Sequence, residues 1–293
     1  MFSLSMVISL LSKMITKAQI VNEVAELCRK AAFTLPPDVK KALGKAFGGE
    51  KSPLIRDLFE LFEKNAEIAE KKEVPICQDT GTAVIFVEKG DQVKISDDDL
   101  IKAVNQGVAK GYKKYYLRKS IVADPLRRKN TGSNTPAIIH IEPKKGKKLK
   151  ITLLQKGGGA ENCSRHAMLK PADGREGVID FIVDTVRKAS SRGCPPYVVG
   201  VGIGGNFEYS AYLAKKSLLR DLNRKHKDPY YAEMEKEALN KINALGIGPQ
   251  GFGGKVTAVA VKIATAPCHI ASLPVAVNTE CSMHRHTSIT LSE

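Results

Sequence analysis

The sequence predicts a mixed α/β (α+β) fold: a helical N-terminal region followed by a mixed-sheet region with site-like loops at the strand ends. Three observations carry this. Apolar residues recur at helical spacing through about the first 75 residues. From residue 82 onward, short strand-like runs take turns with amphipathic helical segments. Loops rich in Gly, Pro and polar residues stand where those strands begin or stop.

Thr16-Lys17-Ala18-Gln19 reads as a capping box, followed by Ile20, Val24, Leu27 and Ala31 at helical spacing. Cys28 lies beside that stripe and reads as core. Ser52-Pro53 opens a second helix with the apolar face Leu54, Leu58, Leu61 and Ile68. Residues 82–88 alternate as a strand, and 97–115 form a helix with acids at its start and lysines at its end. Strands at 137–142 and 150–155 flank a basic turn, and the second runs into Gly157-Gly158-Gly159-Ala160-Glu161-Asn162. A helix at 174–190, a short buried strand at 197–202 and helices at 207–222 and 230–245 follow. Strands at 255–263 and 273–277 close the pattern. There is no internal repeat and no low-complexity linker. The expected organisation is an N-terminal extension at 1–15, a helical region at 16–74 and an α/β region at 75–293 continuous with it.

The 293 residues suffice for a substantial core, and 43% hydrophobic with 26% charged residues excludes disorder and a collagen-like chain. Residues 1–11 are apolar but lack a basic start and an Ala-x-Ala-like exit, and are too short to span a bilayer. The first helix signal follows Met14 at once, so Met14 is the expected start. A cytoplasmic location is expected, where six cysteines favour metal binding or catalysis over disulfides. The net charge of +15 has three readings: a nucleic-acid surface, a solvated Lys-rich surface of a thermophile, or attraction of an anionic substrate or acidic partner. The basic clusters are scattered and lack a recognition motif, so neither nucleic acid nor membrane is the expected partner.

Three cysteines sit in sequences that build sites. Cys77 opens Cys77-Gln78-Asp79-Thr80-Gly81, Cys194 lies in Arg192-Gly193-Cys194-Pro195-Pro196, and Cys281 opens Cys281-Ser282-Met283-His284-Arg285-His286. Three thiolates from distant loops can hold three irons of a cubane cluster and leave the fourth open. Cys163 and Cys268 read as ligands or as packing residues. Asp79 reads as a positioner of a base or as a turn former. Arg118 and Arg127 suit a carboxylate clamp or a solvated surface. His269, beside Cys268 in a Pro-bounded loop, is a candidate proton donor.

Two further patterns compete. Gly200-Val201-Gly202-Ile203-Gly204-Gly205 contains the G-x-G-x-x-G of dinucleotide folds, but no strand ending in an acid follows at the required distance. A tight turn beside the Cys194 loop is the expected reading. Cys268, His269, Cys281, His284 and His286 offer zinc-type ligands, though at no common spacing. A basic nucleic-acid-binding protein with a structural zinc is therefore the rival of another class.

The chain resembles the α subunit of class I, iron–sulfur-dependent fumarate hydratases and L(+)-tartrate dehydratases. The matching stretches are Pro75-Ile76-Cys77-Gln78-Asp79-Thr80-Gly81, Asn130-Thr131-Gly132-Ser133-Asn134-Thr135-Pro136 and Lys156-Gly157-Gly158-Gly159-Ala160-Glu161-Asn162. Arg192-Gly193-Cys194-Pro195-Pro196, Gly248-Pro249-Gln250-Gly251-Phe252-Gly253-Gly254 and Ala266-Pro267-Cys268-His269-Ile270-Ala271 complete them.

The resemblance implies a [4Fe–4S] cluster with one non-cysteine-ligated iron, held by Cys77, Cys194 and Cys281. It implies substrate contacts from Gln78, Asp79, Arg118, the backbone of Gly158 and Gly159, and His269, with Asp79 and His269 catalytic. The implied reaction is the reversible trans elimination of water from a small dicarboxylate, (S)-malate to fumarate, with L(+)-tartrate as the alternative substrate. Arg118 and a protonated His269 would face the charge that develops in the transition state. In single-chain relatives a second domain supplies further catalytic groups, so a separate β subunit is expected here, in an α2β2 assembly.

Overall fold

The capping box forms: the Thr16 hydroxyl accepts from the Gln19 N–H at 3.2 Å, and Gln19 Oε1 accepts from the Thr16 N–H at 2.8 Å. Two orphan donors of the first turn are thereby satisfied. The structure, a computed structural model, describes residues 14–96 and 99–292. The apolar stretch 1–11 and the acidic start expected at residue 97 lie outside the described residues.

The first helices are α1 (Lys17–Phe33), α2 (Pro37–Phe47) and α3 (Pro53–Lys72). Then come β1 (Thr82–Gly90), α4 (Leu100–Lys114), β2 (Ile138–Lys144), β3 (Lys148–Lys156), the single turn α5 (Gly158–Glu161) and β4 (Arg165–Leu169). The rest is α6 (Gly174–Ala189), β5 (Tyr197–Gly205), α7 (Phe207–Ser217), α8 (Pro229–Asn243), β6 (Ala258–Cys268), β7 (Leu273–Glu280) and β8 (Arg285–Ser292). The mixed α/β class is as expected. The chain divides into two compact units: Met1–Thr34 with Ala69–Lys156 and Arg285–Glu293, and Leu35–Ile68 with Gly157–His284.

In the first unit the strand order is β2-β1-β3-β8. β1 runs parallel to β2 and antiparallel to β3, and β3 pairs antiparallel with β8. Helices α1 and α4 lie against each other, and a Cβ at Gly107 of α4 would stand 2.6 Å from the Val24 Cβ. Ile85, Val87, Leu149, Ile151 and Leu153 pack with Val24, Leu27, Val104 and Val108 in one buried cluster. Each fully buried aliphatic side chain contributes roughly 1.5–3 kcal/mol, so this cluster is what fixes the helices on the sheet. Cys28 is fully buried here, the packing residue it was expected to be.

In the second unit the order is β4-β7-β5-β6, with β5 parallel to β6 and antiparallel to β7. Side chains of β5 alternate between faces. Val199, Val201 and Ile203 pack with α6 (Val178, Ile179, Ile182) and α8 (Met234, Ala238, Ile242). The other face carries Gly200 and Gly202, against which α7 lies. A Cβ at Gly202 would stand 2.0 Å from the Ser210 carbonyl oxygen, and one at Gly200 2.3 Å from that of Ala214.

These glycines correct the tight-turn reading of the G-x-G-x-x-G run. The strand continues through Gly205, and Gly200 and Gly202 are there because α7 leaves no room for a side chain. The helix expected at 207–222 ends at Ser217. Two strands, β4 and β8, go beyond the sequence reading.

Candidate active site

In the first unit, the segment 77–81 is held by its backbone. The Ile76 N–H donates to the Ala32 carbonyl at the end of α1. The Thr80 hydroxyl donates to the Arg118 carbonyl at 2.9 Å, which sets Arg118 beside the segment. Asp79 Oδ1 accepts from the Gly81 N–H at 3.0 Å, and Gly81 has φ +68°, a turn that suits glycine. The turn-forming role of Asp79 is thus real, and its carboxylate is aimed by it. Gln78 and Arg118 are exposed, while Cys77 and Asp79 are half-buried. Arg127 is exposed in a separate loop, where its N–H donates to Asp124.

In the second unit, β5 and β7 are antiparallel neighbours, with Val198 opposite Glu280. Cys194, before β5, and Cys281, after β7, therefore stand at the same end of the sheet. The Ser282 N–H donates to the Cys194 carbonyl at 3.1 Å and ties the two loops together. Tyr197 shapes the Cys194 loop: its hydroxyl donates to the Ser190 carbonyl at 2.6 Å and accepts from the Gly193 N–H at 3.1 Å. Cys194 itself has φ +58°. The glycine loop joins the same end. Thr279 Oγ1 donates to the Ala160 carbonyl at 2.7 Å, and a Cβ at Gly159 would meet the Arg192 carbonyl oxygen at 3.4 Å. Gly158 and Gly159 are both exposed.

His269 is not at that end. β6 runs parallel to β5, with Gly205 opposite Cys268, so the 268–272 turn sits at the far end of the sheet. The nine residues of β5 separate the two ends by about 25 Å. His269 Nδ1 accepts from the Ala271 N–H at 3.1 Å, and Cys268 Sγ donates to the Ser272 carbonyl at 3.3 Å. The strand-end loops of this unit therefore do not all share one cleft, because parallel and antiparallel neighbours place their loops at opposite ends. The same placement takes Cys268 and His269 away from Cys281. His284 is fully buried and bonded through Nε2 to the Leu218 carbonyl, so the zinc constellation does not assemble. Among the described residues, no group of three or more His, Cys, Asp or Glu is gathered closely enough to hold a metal ion.

The thiols sort by environment. Burial pushes the Cys28 thiol up to about 12, and Cys163 is buried in the second core, so both are inert packing residues. Cys194 is exposed and Cys77 and Cys281 are half-buried, and none is in a disulfide. As accessible thiols on loops, these three suit the donor chemistry of an iron–sulfur cluster. Side chains that sequence reasoning missed are Tyr112, Asn134, Tyr197 and Arg285, which hold loop backbones. Asn134 and Arg285 lie inside quoted motifs, whereas Tyr112 and Tyr197 carry no local signal.

A family model described as fumarate hydratase (Fumerase) matches residues 21–290. The chain is 42% identical over 269 residues to a Methanocaldococcus jannaschii protein provisionally named as an L(+)-tartrate dehydratase subunit alpha, covering 90% of this chain and 94% of that one. It is 32% identical over 282 residues to the L(+)-tartrate dehydratase subunit alpha of Escherichia coli K12, covering 93% and 92%. The protein of the same name from Shigella sonnei matches to the same extent. With nearly the whole chain matched, the chain belongs to the fumarate hydratase (Fumerase) family.

Proposed function

We propose that the chain is the α subunit of a [4Fe–4S]-dependent hydro-lyase that reversibly dehydrates (S)-malate to fumarate. The observation that carries this is the family match over residues 21–290, which includes every residue the reading uses. Cys77, Cys194 and Cys281 would hold the cluster, which when bound supplies a Lewis-acidic iron without a cysteine ligand. The exposed guanidinium of Arg118 binds a substrate carboxylate, and the Gln78 amide orients it. Asp79, aimed by its bond to the Gly81 N–H, polarises a base on the partner subunit. Gly158 and Gly159, exposed and without side chains, let the substrate approach the backbone.

The role of His269 changes. With Nδ1 accepting from the Ala271 N–H, the neutral ring carries its proton on Nε2, so it acts as a neutral donor. A neighbouring copy of the chain in an α2β2 assembly would bring His269 to the cluster, a reading supported by its distance from Cys194 along β5. The relatives are named as α subunits, which supports a β subunit as the partner. A cytoplasmic location goes with this reading; among the described residues no helix is long and apolar enough to cross a membrane.

The names of the relatives favour a second substrate, L(+)-tartrate, which differs from malate by one hydroxyl. Anaerobic co-expression with the companion subunit tests both. The expected outcome is about four irons per α chain and faster turnover of malate than of tartrate. The reverse ratio establishes the tartrate reading. Colourless protein holding one zinc and inactive on both substrates overturns the hydro-lyase assignment. Cys194→Ser should lose the cluster and the activity while keeping the fold.

A further inference from the structure

Beneath the 77–81 segment, three consecutive backbone carbonyls each accept from a different buried side chain. Arg285 Nη1 donates to the Asp79 carbonyl at 2.7 Å. The Tyr112 hydroxyl donates to the Thr80 carbonyl at 2.8 Å, with the Gly81 carbonyl 3.1 Å away. Asn134 Nδ2 donates to the Gly81 carbonyl at 3.1 Å, while its Oδ1 accepts from the Ser120 N–H at 2.7 Å. Tyr112 and Asn134 are fully buried, and Arg285 is 1% exposed. Ser120, two residues beyond Arg118, and the Thr80–Arg118 bond bring the Arg118 strand of the loop into the same lattice.

Arg285 is the member that ordinary packing does not explain. It opens β8 opposite Gln155 of β3, and among the described residues it forms no ion pair. Its Nε is buried without a hydrogen-bond partner. Burying a guanidinium to satisfy one carbonyl is costly when a neutral amide would serve. What a guanidinium adds is a rigid planar donor with a short, charge-assisted bond. Rigidity at the Asp79 carbonyl fixes the two side chains on either side of it in space, Gln78 before and the Asp79 carboxylate itself.

We propose that Arg285 is a positioning residue: by clamping the Asp79 carbonyl from below, with Tyr112 and Asn134 clamping the next two, it presents Gln78 and Asp79 to the substrate. This rests on the hydro-lyase reading of Gln78 and Asp79. Misplacement of such groups by about 1 Å costs up to roughly 100-fold in rate.

The test uses the assembled two-subunit enzyme, reconstituted anaerobically, with Arg285→Met, Arg285→Lys and Tyr112→Phe. Arg285→Met should keep the iron content of the wild type and lower kcat/KM at least about tenfold, chiefly through KM, because Gln78 and Asp79 touch the substrate. Arg285→Lys, which keeps a cationic donor, should recover part of that loss. A residue needed only for folding would reduce the active fraction, lowering apparent kcat with KM unchanged, and that result overturns the proposal. So does an iron-loaded Arg285→Met enzyme within twofold of wild type. If Arg285→Met does not fold, Tyr112→Phe decides: it removes one hydroxyl and should raise KM about threefold or more. Unchanged KM in that variant counts against the clamp.

Amide hydrogen exchange on the metal-free chain gives an arm independent of activity. Exchange at residues 79–81 should quicken about tenfold in Arg285→Lys and Tyr112→Phe, with the β1–β3 ladder unchanged. Wild-type enzyme inactive on malate and tartrate would overturn the hydro-lyase reading alone, and the exchange arm would still decide the clamp; no quickening overturns it.

Discussion

Gly202→Ala adds one methyl group at the most crowded point of the second unit. The new Cβ would stand 2.0 Å from the Ser210 carbonyl oxygen, 2.6 Å from the Ala214 nitrogen and 2.8 Å from the Leu213 Cβ. Ordinary contact begins near 3.4 Å, so α7 is about 1.4 Å too close to accept it. Two of the three obstacles are helix backbone, which cannot rotate away as a side chain can. Overpacking typically costs about 1–3 kcal/mol, and rigid backbone places this case at the upper end. The alanine returns roughly 0.4–1 kcal/mol by restricting the unfolded chain, leaving a net loss of about 2–2.5 kcal/mol. For a unit of this size that lowers Tm by roughly 5–10 °C. The assay is a thermal melt of the purified chain by circular dichroism, beside Gly44→Ala as control. Gly44 lies in α2, and a Cβ there would meet no atom within 4 Å, so alanine should stabilise by up to about 1 kcal/mol. A Gly202→Ala melt within 2 °C of wild type (roughly 0.5–1 kcal/mol) would refute the reasoning that α7 packing excludes a side chain.

Three further outcomes follow from the loops and the thiols. Tyr197→Phe leaves the Gly193 N–H buried without its acceptor and removes the donor to the Ser190 carbonyl, so stability should fall by about 1–3 kcal/mol in a urea titration. In the metal-free native chain, Cys194 and Cys268 should react first with a thiol reagent and Cys77 and Cys281 more slowly, with Cys28 and Cys163 reacting only on unfolding; rapid labelling of Cys28 would contradict its burial. Because the Cys28 thiol rises from 9.0 to about 12 on folding, its contribution is fully present below pH 9 and is lost as pH climbs toward 12, so Cys28→Ala should flatten the alkaline loss of stability.

Periodicity made the helices legible, and α1 most of all, since its capping box and buried stripe are local properties. The β5–α7 contact was not legible, because the same glycines serve a phosphate loop or a close-packed strand, and only the partner helix tells them apart. β4 is a half-exposed edge strand of five residues, too short for alternation to speak. β8 does alternate through Ile289 and Leu291, but its Thr and Ser residues dilute the signal. For the site, sequence pointed to the loops around Cys194 and Cys281, which stand together at one end of the sheet, and missed that His269 lies at the other end. Which end a loop occupies depends on strand direction, and that is decided by pairing between residues far apart in the chain.

The two units hold their site segments by the same device. Each segment lies where no strand partner is available, so its carbonyls must find donors elsewhere. In both units a buried tyrosine supplies one: Tyr112 to the Thr80 carbonyl, and Tyr197 to the Ser190 carbonyl. Burial raises both phenols above their ordinary range, so each hydroxyl stays protonated through neutral and mildly alkaline pH. A donor that does not titrate fixes the loop independently of pH. The backbone at Cys77–Gly81 and at Ser190–Cys194 is therefore set before any substrate arrives, which is the condition for electrostatic preorganisation. A bell-shaped rate profile in this enzyme would then report the groups that touch the substrate, and not a loop that loosens as its support ionises.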